Sequence, residues 1–155
     1  MGFYDWMLAL HLLAAFSLAS ALVLYSVLVV AGRRTETLEQ TRQLFRLARV
    51  GTPLTAAGTV LVLLVGIVLA IDSDTFELWD FWVLAAIVLW LLLGFVGQRT
   101  GAYYTEVQKL AESGAADAER EVTARLRAPA GARWHLGTLA VFVLLLLDMI
   151  FKPGA

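Results

Sequence analysis

The sequence predicts an all-α polytopic membrane protein, a bundle of four transmembrane helices whose N and C termini both lie outside. Three observations lead to this prediction: an apolar composition, four long apolar stretches, and basic residues confined to alternate connections. Of the 155 residues, 60% are hydrophobic and 16% are charged. Soluble domains average about half apolar residues and about a quarter charged ones. The composition is therefore that of a membrane protein.

Four stretches of the chain are apolar enough to form membrane-spanning helices. A helix needs roughly 20 apolar residues to cross a hydrocarbon core of about 30 Å, and no alternating pattern of a strand competes with this reading. Pro53 falls in the predicted first turn of the second span, where its missing N–H is tolerated. No repeat or linker divides the chain, so we expect a single domain over residues 1–155. The predicted spans cover residues 7–31, 51–71, 81–98 and 134–151.

The basic residues predict the orientation, because Lys and Arg concentrate in cytoplasmic loops. Of the twelve Lys and Arg residues, all but Lys152 lie between spans one and two or between spans three and four. The opposite side carries acidic residues, including Asp5, Asp72 and Asp80. Both termini should therefore face outward. The N-terminal segment lacks the basic region of a signal peptide, so we expect the first span to be permanent.

The segments near the predicted membrane surfaces carry tryptophans and helix-forming residues. Residues 35–50 and 115–126 combine charged side chains with good helix formers, and we expect helices that lie at the headgroups. Tryptophan is enriched at membrane interfaces. We therefore expect an outer and an inner aromatic belt, formed by Trp6, Trp79 and Trp82 outside and by Trp134 inside.

Composition also excludes several classes of function. A net charge of −1 offers no basic surface for nucleic acid. The absence of cysteine excludes disulfides and thiolate metal sites, and the sequence indicates no other metal site and no catalytic residue. A transporter or channel is the least favoured class, because no Asp, Glu, Lys or Arg occupies the middle of a span.

His11 is the main candidate for a binding site. It is the one ionisable residue of the first stretch, and helical rise places it roughly 12 Å from the midplane on the outer side. Imidazole suits an axial ligand of b-type haem or a hydrogen-bond donor to a quinone headgroup, and Met149 at a similar depth is the candidate second haem ligand. The alternative is a histidine bonded to a backbone carbonyl or to Asp148. His135 should lie roughly 20 Å or more away as an interfacial anchor.

Small residues within the spans predict close helix packing. Glycines recur in spans two and three, and small residues let helix backbones approach each other in a membrane. The same property supports a second class of function, in which the protein is a non-catalytic accessory or scaffold subunit. Its partner would then be another membrane protein or a second copy of this chain, within the lipid bilayer. The glycines concerned are Gly58, Gly66, Gly94, Gly97 and Gly101.

Several residues of spans one to three resemble those of known small membrane proteins. Tyr4 and Trp6 precede a Leu-His-Leu at residues 10–12, and Arg46-Leu47, Pro53, Thr59 and Gly66 follow. This pattern resembles the bacterial four-helix proteins that include HemJ-type protoporphyrinogen oxidases. It is similar also to relatives of the copper resistance protein D membrane domain, among them an uncharacterised family of integral membrane proteins. The resemblance implies the bacterial plasma membrane and a haem-binding role for His11. If it extends to activity, it implies a membrane oxidoreductase.

Overall fold

The computed structural model describes residues 2–73, 75 and 77–154. These residues form five helices and no strand. Four of the helices are long and apolar enough to cross a membrane, so the predicted all-α bundle with four spans is confirmed. The helices are α1 (Phe3–Gly32), α2 (Leu38–Ile71), α3 (Phe81–Glu112), α4 (Ala118–Arg127) and α5 (Pro129–Phe151).

The two ends of the bundle differ in charge. The connection between α1 and α2 lies at one end, together with α4 and the parts of α2 and α3 that pack on it. We call this the basic end, since it carries the arginine-rich segments. At the other end, the acidic end, Lys152 and Gly154 of the C-terminal segment lie against Trp82 and Phe81 at the start of α3.

The four spanning helices pack as two close pairs. α1 packs most extensively on α2, and α3 packs most extensively on α5. One buried cluster joins the pairs, with members from α1, α3 and α5, and Met149 packs against its edge. Most other large apolar side chains of the spans are exposed on the outside of the bundle, as a surface that faces lipid requires. The buried cluster comprises Leu18, Leu22, Ala86, Leu93, Val141, Phe142 and Leu145.

Hydrogen bonds between helices add specific links to this packing. The Trp90 indole N–H donates to the carbonyl of Thr59 over 3.0 Å and so joins α3 to α2. The hydroxyls of Thr100 and Thr138 lie 3.0 Å apart and join α3 to α5. One of the two hydroxyls donates its single proton to the other, and the accepting hydroxyl donates its own proton to the carbonyl one turn back, that of Val96 or Trp134. Both hydroxyl groups are thereby satisfied within lipid. These links fix how α3 is rotated against its neighbours.

α2 begins well before the apolar stretch that predicted it. Thr37 caps the helix by accepting from the amide of Gln40, and the helix continues from Leu38 to Ile71. The prediction that Pro53 lies in a first turn is therefore wrong, because Pro53 lies inside α2. Its missing N–H leaves the carbonyl of Arg49 without the usual helical donor. That carbonyl belongs to an exposed residue at the predicted membrane boundary, where it can accept a hydrogen bond from solvent.

The basic end carries a second small core, which we call the cap. Residues 38–50 of α2 and 99–112 of α3 extend the spans by about 20 Å each, and α4 packs across them. The prediction of helices over residues 35–50 and 115–126 is confirmed: the first segment forms the start of α2, and the second contains α4. The apolar side chains of the three helices bury one another, and Val107 and Ala111 are 0% exposed. The cap is formed by Val107, Ala111, Val122 and Leu126, with Leu38, Phe45, Tyr103, Tyr104 and Leu110 around them.

Two adjacent tyrosines close the cap on the side of α5. The rings of Tyr103 and Tyr104 meet edge to face at 5.4 Å, and the Tyr103 hydroxyl donates to the carbonyl of Arg125 over 2.7 Å. Burial raises the pKa of Tyr104 to about 12, and the neighbouring Tyr103 adds to the rise while Arg33 opposes it. The Tyr104 phenol is therefore a neutral packing group at all physiological pH values.

Two predictions about individual side chains need correction. Trp82 is buried beneath the C-terminal segment, with the Lys152 ammonium 5.3 Å from its ring centroid, whereas Trp6, Trp79 and Trp134 are exposed as an interfacial belt requires. The prediction that small residues mark close helix packing is wrong for three glycines of α3. A Cβ atom added to any of them would meet no described atom within 4 Å. These glycines are Gly94, Gly97 and Gly101.

Candidate functional site

Three glycines of α2 lie against α1 and determine where His11 is placed. Gly51, Gly58 and Gly66 are spaced by seven and eight residues, close to two helical turns, so they share one face. A Cβ atom on Gly51 would lie 3.2 Å from Tyr25, and one on Gly58 would lie 3.0 Å from the carbonyl oxygen of Ala14. The α1–α2 interface is therefore as close as glycine allows along most of the bilayer.

The imidazole of His11 occupies the last position of this interface. A Cβ atom placed on Gly66 would lie 3.1 Å from Cε1 and 3.5 Å from Nδ1 of His11. The ring also lies beside the backbone carbonyl of Val62, one turn before Gly66. The imidazole therefore packs directly on Gly66, and any larger residue at this position would displace the ring. The sequence pattern did not connect these two residues.

The two ring nitrogens of His11 differ in their surroundings. Nδ1 is buried and makes no hydrogen bond of ordinary geometry with a described residue. Nε2 is not fully buried and makes no hydrogen bond with a described residue. The Val62 carbonyl beside the ring is an acceptor only, so we assign the proton of the neutral imidazole to the buried nitrogen, Nδ1. Nε2 then presents its lone pair at the surface of the bundle, which is the arrangement of a histidine that binds a metal.

His135 lies far from His11 and has a different role. Its ring is buried and its Nε2 lies 2.8 Å from the Ser26 hydroxyl. Ser26 donates its one hydroxyl proton to the carbonyl of Leu22, so Nε2 of His135 must be the donor to Ser26. Residues 11 and 26 are about 22 Å apart along α1, as predicted for the two histidines. His135 is a buried link between α5 and α1, and the prediction of an interfacial anchor is wrong.

Met149 and Asp148 lie on α5 in the acidic half of the bundle. Met149 packs against the buried cluster of α1, α3 and α5, whereas the described contacts of His11 are with α2. Asp148 is buried, and its Oδ2 has no hydrogen-bond donor among the described residues. The alternative interpretation of His11 named two partners, a backbone carbonyl and Asp148. No described hydrogen bond joins Asp148 to His11, whereas the backbone carbonyl of Val62 does lie beside the ring.

Asp148 nevertheless lies close to His11 in depth. α1 and α5 run antiparallel and meet where His135 bonds Ser26. Asp148 lies 13 residues after His135, toward the acidic end. Counting 13 residues back from Ser26 along α1 reaches residue 13, so Asp148 lies at that level, about 3 Å along the helix axis from His11. Two polar atoms without hydrogen-bond partners, Nδ1 of His11 and Oδ2 of Asp148, thus share one layer of the membrane. Buried polar groups are normally bonded, so this layer is the candidate functional site.

The described residues contain no group of three or more His, Asp or Glu side chains arranged to hold a metal ion. A site at His11 would therefore accept a cofactor that brings most of its own ligands. Comparison with known proteins found no matching family model, no matching curated protein and no matching solved structure. What the fold defines is the class: a multi-pass α-helical membrane protein with four spans and a folded cap at one end.

Proposed function

We propose that this protein, in the plasma membrane of a bacterium, binds b-type haem near the outer surface with Nε2 of His11 as an axial ligand. The observation that carries the proposal is the asymmetry of the imidazole. Nδ1 is buried in a ring that lies beside the Val62 carbonyl, and Nε2 is not fully buried and has no hydrogen-bond partner among the described residues. A carbonyl behind a histidine fixes the ring and raises the basicity of the nitrogen that binds the metal. Bound haem would supply one-electron redox chemistry.

The chain's own residues would hold and position the haem. His11 would bind the iron, and Gly66 would leave the space in which the imidazole keeps its orientation. The second axial ligand predicted from the sequence, Met149, stays a prediction, since its described contacts are with the buried cluster. The resemblance to HemJ-type proteins supports the same role for His11. A quinone headgroup is the second candidate, because an accessible Nε2 lone pair also accepts a hydrogen bond from a quinol hydroxyl.

Absorption spectra of the purified protein test the proposal. Wild type, His11→Ala and His11→Gln are expressed with ample haem, purified in mild detergent and measured before and after dithionite. We expect a Soret band that shifts on reduction in wild type and is lost in both variants, because neither alanine nor glutamine replaces an imidazole ligand. Solvent extraction of the same samples measures bound quinone.

Each outcome of this test separates the candidates. A colourless wild type that carries quinone, with quinone lost in His11→Ala and partly kept in His11→Gln, would replace haem by quinone, because glutamine still offers a hydrogen-bond acceptor. A colourless wild type without quinone would overturn the proposal. The accessory-subunit hypothesis would then be tested by co-purification from native membranes. Equal haem content in all three proteins would show that His11 is not the ligand.

Gly66→Ala should impair the site without changing His11 itself. The new Cβ would lie 3.1 Å from Cε1 of the imidazole, so the ring must rotate away from the Val62 carbonyl. Loss of such outer contacts typically lowers affinity about 10- to 100-fold, and we expect a corresponding fall in haem content. Gly94→Ala is the matched control, since its Cβ would meet no described atom within 4 Å. Full haem loading of Gly66→Ala would contradict the arrangement of the site.

A further inference from the structure

Three arginines of α2 line a groove on the cap. Arg42, Arg46 and Arg49 follow one another at helical spacing, and together with Glu39 and Glu112 they line a cavity of about 230 Å³. Arg42 is fixed in place, because its Nε–H donates to the carbonyl of Ala111 over 2.9 Å. The other two arginines make only exposed ion pairs, Arg46 with Glu39 at 3.0 Å and Arg49 with Glu112 at 3.2 Å.

These exposed ion pairs leave Arg46 and Arg49 available to a stronger ligand. The side chains of both arginines are about two-thirds exposed, at 64% and 65%, and ion pairs at that exposure contribute little to stability. The carboxylate of Glu112 is also held by the Gln108 amide over 2.9 Å, so it need not follow Arg49. A phosphate can therefore replace both carboxylates and accept paired hydrogen bonds from each guanidinium.

The depth of the groove matches the phosphate layer of a membrane. Headgroups occupy roughly 5–7.5 Å of each leaflet outside the hydrocarbon. Counting back from residue 51, where the apolar stretch begins, Arg49 lies about 3 Å and Arg46 about 7.5 Å outside the hydrocarbon. Arg42, at about 13 Å, lies beyond the headgroups and belongs to the cap. Two of the three arginines thus stand at the level of lipid phosphates.

Apolar side chains beside the groove indicate that its ligand also carries acyl chains. Leu47 and Val50 directly follow Arg46 and Arg49 in sequence, about 100° around the helix, and they are 56% and 62% exposed. A free phosphate would leave this apolar surface uncovered. We propose that the groove between α2 and α3 binds an anionic glycerophospholipid, with its phosphate on Arg46 and Arg49, its glycerol beside Leu47, and the start of its acyl chains beside Val50.

Native mass spectrometry of the full chain in mild detergent tests this site. The probe is phosphatidylglycerol, with phosphatidylcholine as the neutral lipid and inorganic phosphate as the free anion. For the variant Arg46→Gln/Arg49→Gln we expect the affinity for phosphatidylglycerol to fall about fivefold for each arginine. The control Lys109→Gln/Arg120→Gln removes the same charge from the cap but from residues outside the groove. It should change the affinity less than twofold.

A second variant gives an expected change of opposite sign. Glu39→Gln/Glu112→Gln removes the carboxylates that compete for the two arginines, so binding of phosphatidylglycerol should tighten severalfold. Equal losses in the groove variant and its control would overturn the site. Tight binding of inorganic phosphate, or its displacement of the lipid, would assign the groove to a free anion instead. The groove lies at the opposite end from His11, so this result is independent of the haem proposal.

Discussion

Gly131→Ala is expected to destabilise the cap more than any other single-methyl addition at the basic end. A Cβ atom at residue 131 would lie 2.6 Å from Cε1 of Tyr103 and 2.8 Å from the Tyr104 hydroxyl. Neither ring can retreat easily, because the rings pack edge to face and the Tyr103 hydroxyl is bonded to Arg125. Overpacking of this kind costs about 1–3 kcal/mol, and loss of the Tyr103 bond adds about 1 kcal/mol.

Thermal unfolding in detergent and limited trypsin digestion measure this effect. We expect a lower unfolding temperature and faster cleavage at the arginines of α4, because the cap opens locally before the spans do. Gly101→Ala is the control: it lies on α3 near the same end, and its Cβ would meet no described atom within 4 Å. In a Tyr103→Leu background the cost of Gly131→Ala should shrink. An undiminished cost in that background would show that Tyr103 is not the obstacle.

The spans could be predicted from hydropathy, but the helices that contain them could not. A stretch of uncharged residues marks where lipid begins, and the structure confirms a helix at each of the four stretches. The Gly51-Thr52-Pro53 sequence indicated a helix start, because glycine and proline usually interrupt helices. α2 nevertheless continues through it. Its residues 38–50 gain tertiary contacts in the cap, and such contacts override local preference.

The candidate site was only half predictable for a related reason. Its principal residue, His11, stands out as an ionisable group within a span. Its surroundings depend on how α1 is rotated against α2, and helices that are apolar all round carry little information about rotation. Gly58 and Gly94 are alike in the sequence, yet one lies against α1 and the other faces open space. The spacing of Gly51, Gly58 and Gly66 was the available signal.

Helix packing also explains why the hydrogen-bond partner of His135 could not be predicted. Its depth followed from counting residues along α5, but its partner Ser26 lies 109 residues away in the chain. Only the antiparallel packing of α1 and α5 brings the two together. One histidine thus has its Nε2 satisfied inside the bundle, whereas the other leaves its Nε2 accessible. The two imidazoles therefore differ in the surroundings of that nitrogen.

Gly58→Ala is expected to weaken the packing of α1 on α2 more than alanine at either of the other two glycines of this interface, Gly51 and Gly66. The added Cβ would lie 3.0 Å from the carbonyl oxygen of Ala14 and 3.1 Å from the amide nitrogen of Leu18. Both are backbone atoms, so no side-chain rotation relieves the contact and α1 must move as a whole. We expect a loss of about 1–3 kcal/mol in the free energy of unfolding, measured by titration with a denaturing detergent.

The movement of α1 in Gly58→Ala should also change the position of His11. Gly58 and Gly66 lie on one face of α2, so a wider separation at Gly58 draws His11 away from Val62 and Gly66. Gly58→Ala should therefore lose haem as well as stability, whereas Gly66→Ala should lose haem with little change in stability, since only a ring must rotate. Gly94→Ala should lose neither. A Gly58→Ala protein as stable as Gly94→Ala would mean that α1 and α2 do not pack through this glycine.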